Sequence, residues 1–385
     1  MEASGVRGAR FWAGTESEVF APPRMEAEGE EIRALLAGEN VVVFASSGSG
    51  GVPKWILFRR DALLVSAQAV NRHLRVTADD RWMLALPIFH VGGFGVVARA
   101  YAADCRVHCL AGRWDAMRFG NEVERQGATL ASLVPTQVHD LVACGMRAPE
   151  SLRAVVVGGA RLDEVTGESA RALGWPILQS YGMTEAASQV ATASLESLKQ
   201  EYCAAPLPIL KMWEHRIGED GCLQLRGDAL AECYLHRENG PLIRELLCDG
   251  EGWFPTTDRV EIENDNLTVL GRADRRVKIL GELVEVQELE EEVRAHLSPE
   301  AAVHLLIVPD ERRGWRLLPI IAQGGCGIEE VIALVNDRRP GFSRMERPQA
   351  VEELPRTALG KLMPRPYGRN LDPDRMCHAK GGVVN

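Results

Sequence analysis

The chain alternates between short apolar runs that read as buried strands and stretches with helical spacing. This alternation restricts the fold more than any other feature. Asn40 leads into Val41-Val-Val-Phe-Ala45, and an apolar, β-branched run of that length is typical of a parallel strand covered on both faces. Residues 61–74 carry the spacing of a helix, and 82–87 form another apolar strand. Further strand signals at 129–134, 154–157 and 177–179 alternate with helical ones, which predicts an α/β domain on a mainly parallel sheet. Residues 1–40 are polar and end in a short helical pattern over 30–36.

Downstream the texture changes. From Gly221 the strands are shorter and alternate polar with apolar, as at 221–227 and 260–270. Beyond Gly271 come a hairpin-like segment, an acidic helix over 285–296, a strand over 303–308, a helix over 328–337 and a polar tail. A chain of 385 residues is too long for one ordinary core. The expected organisation is a large N-terminal α/β domain, residues 1–271, and a small α+β C-terminal domain, residues 272–385, with the boundary near 271–275.

Charge and composition narrow the partners. A net charge of −10 argues against nucleic acid or an anionic membrane surface, because both need a basic face. No apolar run reaches the ~18 residues of a membrane span, and residues 1–24 lack the apolar core of a secretory signal. The nine cysteines are scattered without a CxxC pair, as expected of buried, reduced thiols in a cytoplasmic enzyme. Cys105 and Cys109 bracket His108 in a strand-like segment, but a metal there would need further ligands, and none lies nearby in sequence. Only six of the 44 basic residues are lysines, at 54, 199, 211, 278, 361 and 380. In so arginine-rich a chain, each lysine raises the question of what only a compact ammonium can do.

After the first strand lies the loop Ser46-Ser-Gly-Ser-Gly-Gly-Val-Pro-Lys54. Its three glycines let backbone approach a ligand closely, its serine hydroxyls and backbone N–H groups can cradle phosphate oxygens, and Lys54 adds a point charge. It is not a Walker A loop, since Pro53 precedes the lysine and Trp55 follows it. Further on stand Pro87-Ile-Phe-His-Val-Gly-Gly93, Val157-Gly-Gly-Ala160 and Ser180-Tyr-Gly-Met-Thr-Glu185. Then follow Trp253-Phe-Pro-Thr-Thr-Asp258, Gly271-Arg-Ala-Asp-Arg-Arg-Val-Lys-Ile-Leu-Gly281, Glu288-Leu-Glu290 and Pro355-Arg-Thr-Ala-Leu-Gly-Lys361. In this order and spacing, over residues 41–365, the set resembles the adenylate-forming superfamily of acyl-CoA synthetases, luciferases and the adenylation domains of peptide synthetases.

The resemblance implies an enzyme that uses ATP, Mg²⁺ and coenzyme A. A carboxylic acid attacks the α-phosphate of ATP to give an acyl adenylate, and coenzyme A then takes the acyl group as a thioester. Negative charge builds on the phosphoryl oxygens, so fixed donors and cations around that phosphorus carry the catalysis. By resemblance, Ser46, Ser47, Gly48, Ser49, Gly51 and Lys54 hold the β- and γ-phosphates, and Glu185 places the metal. Thr184 bonds the α-phosphate within the Ser180-Tyr181-Gly182-Met183-Thr184 turn. Tyr181 stacks on adenine, and Gly158, Gly159 and Ala160 let the base approach the backbone. Asp258 accepts from both ribose hydroxyls, with Arg272 in support. Lys361 bridges carboxylate and phosphate during adenylation. Asp274 marks the hinge about which a mobile small domain rotates, and Lys278 and Gly281 face the pantetheine channel.

Amino-acid-activating relatives carry an Asp after the aromatic residue of the second motif. Here His90 follows Phe89, which argues against an α-amino acid. Gly92, Gly93, Pro135 and Thr136 are expected to line the acyl pocket, and His90 is expected either to line it or, as a catalytic candidate, to switch conformation between the half-reactions, against the alternative of a structural histidine. The stretches 92–95 with Arg99, 131–137 and 251–259 resemble the branch that joins o-succinylbenzoate to coenzyme A in menaquinone biosynthesis. Such a keto-diacid has a second carboxylate to neutralise, and Arg99 is the candidate, against the alternative of a surface ion pair. The chain departs from the family in having only 45 residues before the loop, which implies a shortened N-terminal subdomain. A homodimer, or residues 1–40 covering the sheet edge, would compensate. Gly50 and Thr257 stand where relatives carry Thr and Gly. The rival readings are a synthetase for another aryl or medium-chain acid, and a non-catalytic adenylate-binding relative.

Overall fold

The computed structural model describes residue 6 and residues 8–46, 54–237, 241–280, 282–297, 303–310, 314–322 and 327–351. These fall into two units that divide after Arg276. Strands are numbered along the chain. In the first unit, β1 (Glu18–Phe20), β2 (Val41–Ser46), β3 (Lys54–Arg59), β13 (Cys233–Arg237) and β14 (Leu242–Leu246) lie in that order in a mixed sheet. A six-stranded sheet has the order β5-β4-β6-β7-β8-β9, from β4 (Arg81–Leu84), β5 (Arg106–Cys109), β6 (Leu130–Leu133), β7 (Ala154–Val157), β8 (Ile177–Tyr181) and β9 (Ala191–Thr192). Its pairs are parallel except β8 with β9. An antiparallel sheet has the order β10-β16-β15-β12-β11, from β10 (Leu207–Pro208), β11 (Glu214–Ile217), β12 (Cys222–Arg226), β15 (Phe254–Glu263) and β16 (Asn266–Arg272).

The apolar runs are continuous because both faces of the parallel sheet are covered. Trp82, Leu130, Val156 and Leu178 point to one core, and Met83, Ala131, Leu133, Val155 and Ile177 to another. Helices Arg60–His73 and Val91–Ala102 supply Leu63, Val70, Phe94 and Val97 to the first core. Helices Ala116–Gln126 and Pro135–Ala143 supply Phe119, Val123, Val138 and Leu141 to the second. Successive strand residues face opposite sides, so most positions are apolar, and the buried polar ones, Ser132, Gln179 and Ser180, are hydrogen-bonded.

The run 41–45 is buried as expected but belongs to the mixed sheet. β2 pairs parallel only with β1, and antiparallel with β3 over Val41–Arg59 to Ser46–Lys54. An apolar run reports burial on two faces and not the direction of its neighbours. Val42 and Phe44 face the first core. Val41, Val43 and Trp55 face a separate cluster closed by Met25, Ile32 and Leu36 around helix Glu26–Leu35. That helix starts a turn before the expected 30–36. The N-terminal residues therefore supply both an edge strand and a cover for the sheet. The stretch 260–270 also differs: positive-φ residues Asn264 and Asp265 fold it into the β15–β16 hairpin. Of the thiols, Cys222 and Cys233 are buried but Cys109, Cys144 and Cys203 are exposed, so the expected burial holds only in part.

At the amino edge of the parallel sheet, Asp80 ties three strand starts together. It accepts from the Thr129 hydroxyl at 2.6 Å, from Arg153 at 2.7 and 2.8 Å and from the Thr77 backbone N–H at 2.9 Å. Burial alone would raise its carboxyl, but these hydrogen bonds outweigh it and hold the group at about 2. A depressed carboxyl stabilises the fold above the usual carboxylate range, and the benefit is lost as pH falls from about 4 towards 2. Asp80→Asn should therefore unfold at lower urea than the parent at pH 7, with the gap narrowing at pH 3. An equal gap at both pH values would contradict this role.

The second unit holds the hairpin β17 (Arg276–Ile279) and β18 (Glu282–Glu285), and the sheet β19 (Val303–Asp310), β20 (Gly314–Ala322) and β21 (Gln349–Val351). Helices Val286–Ala295 and Ile328–Arg338 pack Leu289, Val293, Ile332 and Val335 against Val303, Leu305 and Leu317. Buried Glu290 accepts from Arg294 and from the Leu305 backbone N–H at 3.3 Å, with His304 3.4 Å away. Among the described residues no helix is long and apolar enough to cross a membrane.

Candidate active site

Four neighbouring parallel strands deliver four motifs to one edge of the sheet. β4 leads to 87–93, β6 to Pro135 and Thr136, β7 to Gly158–Ala160 and β8 to Tyr181–Glu185. Loops diverge at the carboxyl edge of such a sheet, and ligands bind there.

Backbone packing dictates the turn after β8. A Cβ on Gly182 would lie 1.6 Å from the Ser188 carbonyl oxygen, so no larger residue fits. The tight turn Thr184–Ala186 is held from outside by Ala231 N–H donating to the Glu185 carbonyl at 2.9 Å and the Ser66 hydroxyl donating to the Ala187 carbonyl at 3.1 Å. Thr184, Met183 and Tyr181 are half-buried. The Ser180 hydroxyl is buried and committed to β9, 2.9 Å from the Thr192 hydroxyl, and its carbonyl accepts from Gln179 Nε2 at 3.0 Å, so Ser180 braces the strand end.

Two carboxylates meet two phenols here. The Tyr181 hydroxyl donates to Asp258 Oδ2 at 2.6 Å. Burial first, then the charge of Asp258, push the Tyr181 phenol well above its usual value. Asp258 is only 9% exposed, and Arg272, its register partner across β15 and β16, brings Nη1 to 3.6 Å from Oδ1. Arg272 also donates to the Thr257 hydroxyl at 2.7 Å, which gives that unusual residue a partner. The Tyr234 hydroxyl donates to Glu185 Oε1 at 3.0 Å, and Lys54 Nζ lies 4.4 Å from the centre of the Tyr234 ring. Burial and the Glu185 charge likewise raise the Tyr234 phenol, which stays a donor.

Tyr234 and Gln179 are site residues that sequence reasoning missed. Gln179 Nε2 donates to the Ala160 carbonyl at 3.1 Å while its Oε1 accepts from Leu162 N–H at 2.9 Å, fixing the turn in which Gly159 has φ +88°. Both residues sit inside strands, where a polar side chain facing inward has no local sequence signal.

On the acyl side, His90 precedes helix Val91–Ala102, is half-buried and lies 4.6 Å ring to ring from Phe89. A Cβ on Gly93 would meet the Pro87 carbonyl oxygen at 2.3 Å, so the helix start presses on the strand end. Gly92 sits beside it, half-buried. Pro135 and exposed Thr136 open helix Pro135–Ala143, whose Gln137 accepts from Val134 N–H at 3.0 Å. Arg99 is no surface ion pair. It is 2% exposed, lies 5.1 Å over the Trp82 ring and donates to the Ser132 hydroxyl at 3.3 Å. Among the described residues no carboxylate pairs with it, and burial pushes it down to about 10. The side chain folds back over Gly95, where an added Cβ would stand 2.8 Å from Nη2.

Ser46 and Lys54 are register partners at the ends of β2 and β3. Ser47, Gly48, Ser49, Gly51, Gly281 and Lys361 lie outside the described residues. Asp274 falls in the turn Ala273–Arg275 and Lys278 in β17.

The fold is that of an α/β protein whose parallel sheet ends in a glycine turn, with Tyr181 bonded to Asp258 and Tyr234 joining Glu185 to Lys54 close by. The chain belongs to the AMP-binding enzyme family, whose pattern matches residues 11–235. It is 34% identical over 280 residues to the 2-succinylbenzoate–CoA ligase of Escherichia coli K12, covering 72% of this chain and 57% of that protein. The Salmonella typhimurium ligase of that name is 34% identical over 305 residues, covering 78% and 62%. The chain thus spans less than two thirds of the length of these relatives. Among solved structures it resembles wild-type E. coli MenE with a bound m-phenylether-linked analogue of OSB-AMS, with TM-score 0.61, 30% identity and coverage of 80% and 65%. Bacillus subtilis o-succinylbenzoate CoA synthetase with OSB-AMP shares the fold, with TM-score 0.73, 21% identity and coverage of 100% and 94%.

Proposed function

We propose that the chain is an ATP-dependent carboxylate–CoA ligase that forms an acyl adenylate and then a thioester, with o-succinylbenzoate as the acid. The observation that carries this reading is the meeting of Tyr181 with Asp258, and of Tyr234 with both Glu185 and Lys54, where strands of neighbouring sheets approach the loop after β8. Asp258 offers carboxylate oxygens to ribose hydroxyls, and Thr184 and the backbone of its turn offer donors to the α-phosphate. Lys54 adds a fixed cation for the phosphates.

Magnesium fits the residues present. Among the described residues no three His, Cys, Asp or Glu side chains cluster as ligands; Glu185 would offer a carboxylate, and nucleotide phosphates would complete the shell. That sparse protein contribution suits Mg²⁺, which keeps waters and phosphates as ligands. When bound, the ion would neutralise charge on the phosphate oxygens. Glu185 would hold it, and Tyr234 would hold Glu185.

Arg99 supports the choice of acid. A buried guanidinium without a carboxylate suits a substrate carrying a second anionic group, and 2-succinylbenzoate–CoA ligase is the name of the relatives given above. Lys361 is assigned to the carboxylate–phosphate bridge, Asp274 to the hinge, and Lys278 and Gly281 to the coenzyme A side. The paucity of paired cysteines supports a cytoplasmic setting.

The test is a product assay with ATP, Mg²⁺, coenzyme A and a panel of o-succinylbenzoate, benzoate and octanoate. The reading expects AMP and a thioester, by mass spectrometry, chiefly with the diacid. Equal or greater turnover of a monoacid would replace the substrate. No thioester with any acid would remove the ligase assignment.

A further inference from the structure

The Tyr234 side chain touches both charged groups expected around the phosphates. Its hydroxyl bonds Glu185 and its ring face lies against the Lys54 ammonium. It stands on β13 opposite Ile56, in antiparallel register with β3, and Lys54 is the first residue of β3. Three residues earlier, Ala231 N–H donates to the Glu185 carbonyl at 2.9 Å. The β13 segment thus grips Glu185 at backbone and side chain while fixing the lysine over its own ring.

We propose that Tyr234 is a positioning residue that aims the Glu185 carboxylate at the metal and holds the Lys54 ammonium against the phosphates. The inference rests on the ATP-dependent reading above and adds a residue to its phosphate end. The two halves of the side chain do separable work. The hydroxyl leaves Glu185 Oε2 turned towards an ion, as outer-shell donors do for ligating carboxylates. The ring attracts the ammonium through its negative face.

Two substitutions separate these contributions. Tyr234→Phe keeps the ring and removes the hydroxyl. Tyr234→Leu removes both. With purified full chain, Mn²⁺ binding is followed by electron paramagnetic resonance in the presence of a non-hydrolysable ATP analogue. Loss of an outer-shell partner lowers metal affinity ~10- to 100-fold, so Tyr234→Phe is expected to fall by about tenfold in Mn²⁺ affinity. Its metal-free nucleotide binding should be unchanged, and in turnover the Mg²⁺ half-saturation should rise while the acid KM stays put. Tyr234→Leu should weaken metal-free nucleotide binding as well, by about threefold, the scale of an exposed cation–π contact.

Equal Mn²⁺ affinity in the parent and Tyr234→Phe overturns the hydroxyl's role. Unchanged metal-free nucleotide binding in Tyr234→Leu overturns the ring's role. A parallel rise in acid KM and fall in melting temperature in Tyr234→Phe would mark a merely structural residue. The reading beneath fails differently: the parent itself would then show no nucleotide-dependent Mn²⁺ binding.

Discussion

Glu185→Gln is expected to lower AMP formation by on the order of 10²-fold, the usual effect of removing one preorganised charge-stabilising group from a reaction centre. The amide keeps the length of the side chain and can still accept the Tyr234 hydroxyl at Oε1. The turn is held chiefly through backbone, by Ala231 N–H and the Ser66 hydroxyl, so its geometry should survive. What disappears is the negative charge offered to a divalent cation. The loss should therefore fall on kcat and on the Mg²⁺ half-saturation, with the melting temperature unchanged. Initial-rate assays over a Mg²⁺ series check this. Undiminished turnover would remove Glu185 from the metal's shell.

Arg99→Met is expected to raise the KM for o-succinylbenzoate by about 10- to 100-fold, because a hydrogen bond to a charged group contributes about 1.5–3 kcal/mol. Methionine fills much of the same space over Trp82 and leaves no large void. A buried guanidinium without a counter-charge costs stability, so the variant should unfold no earlier than the parent. Turnover of benzoate, which has no second carboxylate, should hardly change. An unchanged KM for the diacid would return Arg99 to a structural role. A variant that melts several degrees earlier would mean the guanidinium holds up the core.

These two residues mark what could be read from sequence and what could not. Glu185 was legible because its neighbours Tyr181, Gly182 and Thr184 form a compact motif whose turn depends on local backbone, as Gly182 against Ser188 illustrates. Arg99 was legible as a candidate, yet its burial was not. An arginine on a helix reads as solvated until tertiary packing places Trp82 and Ser132 around it. Tyr234 and Gln179 were invisible because their partners, Glu185 and the Gly158–Ala160 turn, lie 49 and 19–21 residues away. β7 stood out through a continuous apolar run and β6 and β8 through mostly apolar ones, whereas β3 hid behind the charged ends of Lys54-Trp-Ile-Leu-Phe-Arg59 and its nearness to the loop. The direction of β2 was misread for the same reason that its burial was read correctly: side-chain polarity records what covers a strand, not which way its neighbour runs.

Tyr181 and Glu185 from the parallel sheet, Asp258 from the antiparallel sheet and Lys54 from the mixed sheet are proposed to support exchange of pyrophosphate for a carboxylic acid at the α-phosphorus of ATP. Labelled pyrophosphate incubated with the full chain, ATP, Mg²⁺ and o-succinylbenzoate, without coenzyme A, tests it most directly. Label should enter ATP only when the acid is present. Nucleotide binding at normal strength with no label entering ATP would contradict it.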